Sequence, residues 1–518
     1  MTGSRKPGII LLFVVLFAIV IRVYEFRGFG AVDDAAYAKI AYQINQGRYL
    51  PGTYEGPAVF PLRIGILYPT AMLFRYFGVS EWSMVLFPFF LSVLSVLLVY
   101  VCTNHFFGKQ AAMIGAAIWM FLPLDTFHAS ILSPDLPSAF FAFFGVIIIL
   151  LMADSSVRYR SVRVFAGFAA GFFFGISWLC KESVVYLIPF CTFLLFITIG
   201  KDWRKNLPMW IGVGVGSCAV LLAEMYVYHL ATGDWLFHFH ETERNYRQYK
   251  NAFFIEGGKF APTGGSGFRR AILRRLVLYG PMTIFLNSQF LYLPLFAAIV
   301  VLHAIYWRNK SFLIPGVWFV SLVLMFNFST SSLKSYIPLV LFDRYLYPVL
   351  LPATILAAGF VAALFNGNNA LQNEYTRREK VFWGTVIVLS LLLVGGYKNY
   401  SNRKWYPGWI SGVKIVSGLI TPSDRLYTDI LSIHGLEFFW GYPEQMNTVN
   451  FEDMDASSEI TQDSYVLINT KYLDWLSSKA GWWPTKNDDY RKPEFYNLAP
   501  PSWEGIWGDD DATLYFVK

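Results

Sequence analysis

Charge is what this chain has least of. Only 15% of its 518 residues are Asp, Glu, Lys or Arg, against about 25% in soluble globular domains. With 55% hydrophobic residues and a mean hydropathy of +0.43, that shortage excludes a free-standing soluble domain and points to the bilayer. Cysteine is scarce as well. Cys102, Cys180, Cys191 and Cys218 all fall in or at the ends of apolar runs, and no CxxC occurs. No disulfide framework is therefore expected. Residues 398–518 carry no Gly-rich phosphate loop, and the chain has no nucleic-acid signature. Nor does it show a clear internal repeat of the transporter kind.

What the chain has is apolar runs, beginning with GIILLFVVLFAIVIR at 8–22 and recurring to VFWGTVIVLSLLLVGG at 381–396. Eleven can be read as spans, some shorter than the roughly 20 residues usual for a crossing. No A-x-A-like cleavage site follows the first run, so it reads as a retained span. With the N-terminus in the cytoplasm, the inside loops are 1–7, 105–110, 153–163, 200–207, 307–311 and 366–380. They hold fourteen Lys or Arg against four acids, Asp154, Asp202, Glu374 and Glu379. The short outside loops hold only Lys181, Lys334 and Arg344, a strong positive-inside bias. The expectation is a multi-pass protein of the cell (inner or plasma) membrane with residues 23–80, 232–282 and everything after about 398 outside.

Those outside segments differ in character. DDAAYAKIAYQI and RIGILYPTAMLFRYFG read as two helices lying along the membrane surface. FRRAILRRLVLYG puts Arg269, Arg270, Arg274 and Arg275 on roughly one helical face, a stripe suited to acidic headgroups or a lipid phosphate. After 398, RLYTDIL, SYVLINT and ATLYFVK have strand composition, while SIHGLEFFWG and KYLDWLSSK have helical spacing. The fold class is thus a polytopic α-helical membrane domain, 1–397, with a small extracytoplasmic α/β domain, 398–518.

Asp33 and Asp34 open the first surface helix. Acids at a bilayer face are costly unless used, though a helix-capping role fits either of them. Asp135 stands at a helix start before Leu136-Pro137 and also fits a cap. Arg63 and Lys181 fit either a chemical role or snorkelling to the interface. Arg344 fits either that role or a plain ion pair with Asp343. His238, His240, Glu241 and Glu243 form an H-x-H with nearby acids, the one place where a metal is conceivable from sequence. Otherwise no cofactor is expected, and a divalent metal stays open.

The order of motifs resembles a known family. A first span is followed by Val32-Asp33-Asp34-Ala35-Ala36-Tyr37, then Phe60-Pro61-Leu62-Arg63, then Phe77-Gly78-Val79-Ser80-Glu81 leading into a span. Ser133-Pro134-Asp135 starts the fourth span, Cys180-Lys181-Glu182 separates the fifth and sixth, and Asp343-Arg344-Tyr345-Leu346-Tyr347-Pro348 precedes a late one. Over residues 8–365 this is similar to the GT-C superfamily of polyprenyl-phosphate-sugar-dependent glycosyltransferases. The similar branch holds the bacterial aminoarabinose transferases and the dolichyl-phosphate-mannose-protein mannosyltransferases.

The resemblance implies a GT-C-like fold and a sugar transfer from a polyprenyl phosphate. It implies Asp33 as base, with Asp34 in a position usually held by Glu and Asp135 matching the acid of the fourth span. Lys181 matches a Thr-Lys position in which Cys180 replaces the Thr, and Arg344-Tyr345 match a late Arg-Tyr pair. Chemistry alone points the same way. Outside the cytoplasm no nucleotide sugar is available, whereas a lipid-linked sugar can cross. A carboxylate suits deprotonation of an acceptor hydroxyl, and Arg63, Lys181 or Arg344 suits the departing phosphate. One base with direct attack inverts the anomeric carbon. The expected partners are a polyprenyl-phosphate sugar, a lipid, glycan or protein acceptor, and the bilayer. An oligosaccharyltransferase is the first alternative, weakened because Trp482-Trp483 is followed by Pro484 where that class has an acid. A lipid-linked-sugar transporter or flippase is the second.

Overall fold

The computed structural model describes residues 6–30, 33–52, 57–157, 159–254, 268–330, 336–366, 376–404, 408–454, 460–470 and 499–518. The KYLDWLSSK helix, Trp482-Trp483 and Lys334 lie outside the described residues. The chain opens with α1 (Lys6–Tyr24), then α2 (Asp33–Asn45) and α3 (Ile64–Phe77). Next come α4 (Glu81–Met120), α5 (Pro123–His128), α6 (Asp135–Asp154), α7 (Arg160–Cys180), α8 (Ile188–Lys201) and α9 (Trp203–Thr232). Then follow α10 (Phe237–Phe254), α11 (Phe268–Arg274), α12 (Gly280–Phe285), α13 (Leu293–Tyr306), α14 (Leu313–Phe328), α15 (Tyr347–Asn366) and α16 (Arg377–Lys404).

Among the described residues eight helices are long and apolar enough to cross a membrane, fewer than the eleven runs in the sequence. The difference has local causes. The 40-residue α4 is two helices merged across Gly108, which takes φ 82°, a conformation open to glycine at little cost. Leu11–Tyr24 and Leu293–Tyr306 are apolar but short. The protein is a multi-pass membrane protein, and its spans pack through small residues. Gly167 and Gly171 of α7 face Gly212 and Gly216 of α9. A Cβ on Gly167 would sit 1.9 Å from the Met209 carbonyl oxygen, so the two backbones touch. Without a hydrophobic force between helices in lipid, such close approach is what holds them.

The two ends of the bundle are chemically distinct. At one end His105 and Lys201 lie 3.3 and 3.8 Å from Asp154, and Arg163 donates to Asn206 over 3.0 Å. These residues come from three loops that the positive-inside reading groups together. At the other end lie α2, α3 and the turns carrying Asp135, Lys181 and Arg344. Both surface segments are helices. α3 buries Ile66, Leu67, Ala71 and Phe74 but leaves Tyr68, Met72, Tyr76 and Phe77 exposed, an apolar face suited to the membrane surface.

The basic stripe is not as the sequence suggests. Arg269, Arg270 and Arg274 are exposed, but Arg275 is buried. A π-helical turn from Arg275 to Tyr279 swings it inward, where it donates to the Leu339 carbonyl at 2.7 Å and to Asn327 at 3.1 Å. A guanidinium spent on buried acceptors is no longer available to headgroups.

The C-terminal unit holds α17 (Gly408–Leu419), β1 (Leu426–Thr428), α18 (Ile430–Phe439), β2 (Thr448–Asn450), β3 (Ser464–Ile468), β4 (Trp503–Gly508) and β5 (Thr513–Val517). The sheet order is β2-β1-β3-β5-β4, with β1 parallel to β2 and β3 and the remaining pairs antiparallel. The expected strands are β1, β3 and β5; β2, β4 and α17 are additions. This unit docks on α2. Phe29 stacks on Phe438 at 4.2 Å, Tyr42 on Tyr442 at 4.8 Å, and Lys39 pairs with Glu437 at 2.9 Å.

Candidate active site

Five chain breaks at one end of the bundle carry the charges. Asp33 begins α2, and Arg63 is the N-cap of α3. Asp135 begins α6 directly after a proline, and Lys181 sits in the connection between α7 and a 3-10 turn at Glu182–Leu187. Arg344 and Tyr345 form a 3-10 turn, Asp343–Leu346, ahead of α15. Each break keeps a charged side chain out of a span interior, which would not tolerate it unpaired.

The charges close in pairs. Arg344 donates to Asp33 over 2.5 Å, joining residues 311 apart in sequence. Lys181 donates to Asp135, whose other oxygen accepts from Ser133 at 3.0 Å. Arg63 is bidentate on Glu182, with one arm at 3.1 Å. The Lys181 ammonium also lies 3.8 Å over the Tyr345 ring, and the Arg344 guanidinium 5.6 Å from it. Tyr37 of α2 feels Arg63, Asp33, Arg344 and Asp135 together, so the pairs form one cluster. Burial pushes its phenol above the usual range, which leaves it a neutral O–H donor.

These contacts decide between readings that the sequence left open. Arg63 and Lys181 are buried, 3% and 7% exposed, and ion-paired, so neither snorkels. Arg344 pairs with Asp33 rather than with its neighbour Asp343. The helix α6 has no side-chain cap from its N-cap residue, Pro134, and Asp135 is engaged by Lys181. Burial draws the Lys181 ammonium down to about 8, with Asp135 opposing and Arg344 adding to the effect.

Six of the seven expected residues meet here: Asp33, Arg63, Asp135, Lys181, Arg344 and Tyr345. The Asp34 carboxylate accepts from the Gly30 N–H at 2.5 Å, and its charge acts on Tyr442 of the C-terminal unit. The H-x-H acids do not converge. His238 pairs with Glu224 at 2.8 Å, His240 with Asp234 at 2.7 Å and Glu241 with Arg244 at 2.5 Å. No group of three metal-ligating side chains occurs among the described residues.

Sequence reasoning missed two features. Glu182 is the acid that holds Arg63. Behind the cluster, Arg22 and Asp125 form a fully buried ion pair that also engages Ser92, Trp119 and Tyr347. An arginine ending an apolar run and an acid inside FLPLDTF were its only signals. Because Tyr347 closes the Arg344–Tyr345 turn, this pair also fixes where those two residues stand.

A family model, dolichyl-phosphate-mannose-protein mannosyltransferase, matches residues 64–226. No curated protein matches the chain by sequence. Solved structures match over nearly its whole length. ArnT from Cupriavidus metallidurans in the apo state superposes with a TM-score of 0.58 at 15% identity, covering 99% of this chain and 98% of ArnT. The same protein bound to undecaprenyl phosphate gives 0.57 at 15% identity, covering 98% of each. The archaeal oligosaccharyltransferase AglB from Archaeoglobus fulgidus, with an inhibitory peptide and a dolichol-phosphate, gives 0.55 at 14%, covering 95% of this chain and 72% of AglB. The chain has the GT-C fold and is similar to the GT-C glycosyltransferases of the ArnT and protein-mannosyltransferase kind.

Proposed function

We propose that this protein transfers a hexose or pentose from a polyprenyl-phosphate donor to a hydroxyl of a lipid, glycan or protein acceptor at the outer face of the cell membrane. The observation that carries the reading is the Asp33–Arg344 pair set beside Lys181–Asp135 and Arg63–Glu182. Its relatives in fold bind undecaprenyl phosphate and dolichol-phosphate, which supports a lipid phosphate as donor.

A sugar phosphodiester carries one negative charge, and departure of the sugar adds a second developing charge to the phosphate. Cations aimed there stabilise the transition state more than the bound donor. Entry of the phosphate draws Arg344 away from Asp33, and the freed carboxylate takes the acceptor's proton. The acceptor oxygen bonds to the anomeric carbon as the carbon–oxygen bond to phosphate breaks, and the polyprenyl phosphate leaves with the electron pair. With Asp33 as the one base and direct attack by the acceptor, the anomeric carbon is inverted. Tyr345 steers the Lys181 ammonium by its ring face.

Two experiments test this. Arg344→Ala and Lys181→Ala should each weaken donor use by roughly 10- to 100-fold, the scale of one charge-assisted contact. Arg269→Ala, in the exposed basic helix, should do less; if it does more, the phosphate sits on 232–282 instead. The second concerns orientation. A reporter fused after Lys404, the last residue of α16, should be active only outside the cytoplasm. Activity inside would place the cluster on the wrong face for a lipid-linked donor. Mass spectrometry of glycolipids from membranes with and without the protein identifies sugar and acceptor. Glycosylated Asn would favour the oligosaccharyltransferase reading, whose fold AglB shares.

A further inference from the structure

His128 ends α5 and lies at the edge of the charge cluster, yet no step above uses it. Its ring is 2% exposed. It sits edge-on to Tyr347, centroids 6.2 Å apart, and against Phe127 at 5.2 Å. It interacts electrostatically with Asp135, Arg344, Lys181 and Arg27, so it stands within reach of the cluster's charges. Its Nδ1 is buried with no hydrogen-bond partner among the described residues. Buried polar atoms are ordinarily satisfied, and one that is not asks for an absent partner. The Tyr347 ring beside it is already engaged, its hydroxyl donating to Asp125.

The chemistry of the ring selects the partner. Burial draws its basicity down to about 4, and Arg344, Lys181 and Arg27 add to that against Asp135. The site by itself thus favours the neutral imidazole, and a phosphate there already has charged partners in Arg63, Lys181 and Arg344. A neutral imidazole offers one N–H and one lone pair, which matches a hydroxyl, a group that both donates and accepts. The sugar is bonded directly to the phosphate, so its hydroxyls lie beside whatever surrounds the clamp. We propose that His128 hydrogen-bonds a hydroxyl of the sugar carried by the donor, and so helps to select which sugar is transferred. This rests on the glycosyl-transfer reading above.

The test uses the detergent-solubilised full chain and two classes of probe, undecaprenyl phosphate alone and undecaprenyl phosphate carrying a hexose or a pentose. The wild-type protein should bind at least one sugar-bearing lipid more tightly than the bare phosphate. His128→Phe keeps the ring against Tyr347 but removes both polar atoms. It should weaken the preferred sugar-bearing lipid by about tenfold, one hydrogen bond's worth, and leave bare undecaprenyl phosphate unchanged. His128→Gln should recover part of the preference. If His128→Phe weakens both probes equally, or neither, the proposal is overturned and His128 is a packing residue. If the wild-type protein binds neither probe, the glycosyl-transfer reading itself fails, a distinguishable outcome.

Discussion

Asp33→Asn is expected to lower turnover by at least about 10²-fold, the scale of losing a general base. The substitution keeps the size and shape of the side chain. Asp33 is only partly buried and touches Arg344 at the surface of the cluster, so folding should survive, and thermal unfolding of the purified protein checks this. Donor binding should persist, because Arg63, Lys181 and Arg344 remain. Asp34→Asn should have a milder effect, since that carboxylate already accepts from the Gly30 N–H. Near-normal turnover in Asp33→Asn would leave Asp33 as no more than the partner of Arg344.

Asp125→Leu should destabilise the protein by about 3–5 kcal/mol, because it strands the Arg22 guanidinium in a site with no exposure to solvent. The double substitution Arg22→Leu with Asp125→Leu should recover much of that loss. An apolar pair of similar volume replaces two charges whose desolvation is costly, although Trp119 and Tyr347 still lose an acceptor. Denaturant titration of the single and double variants in detergent measures both. Equal stability of Asp125→Leu and wild type would mean that the pair contributes nothing net. The double variant should also show reduced donor use despite its recovered stability, since Tyr347 no longer anchors the Arg344–Tyr345 turn.

Much of the molecule was legible in the sequence, for reasons that are local. The spans follow from runs of apolar residues, and the grouping of loops at two ends follows from Lys and Arg counts. Strands β1, β3 and β5 follow from β-branched and aromatic clusters. Where reading by runs fell short, the cause was also local. At Gly108 the helix of one apolar run kinks and leads straight into the helix of the next, so two stretches form one 40-residue element. β2, at three residues, is too short to carry a pattern.

The candidate residues were legible one by one because acids and cations at span ends are rare and costly. Their pairings were not. Asp33 and Arg344 are 311 residues apart, and nothing in either segment names the other. Hydropathy and charge act on each segment separately, so the polytopic helical architecture, the two chemically distinct ends and the α/β tail can be read residue by residue. The tertiary structure decided which cation meets which acid, that Arg275 turns inward, that Asp34 accepts from the Gly30 N–H and that Arg22 finds Asp125. In a low-dielectric interior a charge must be matched by a partner, and only the packed bundle determines which one comes within reach.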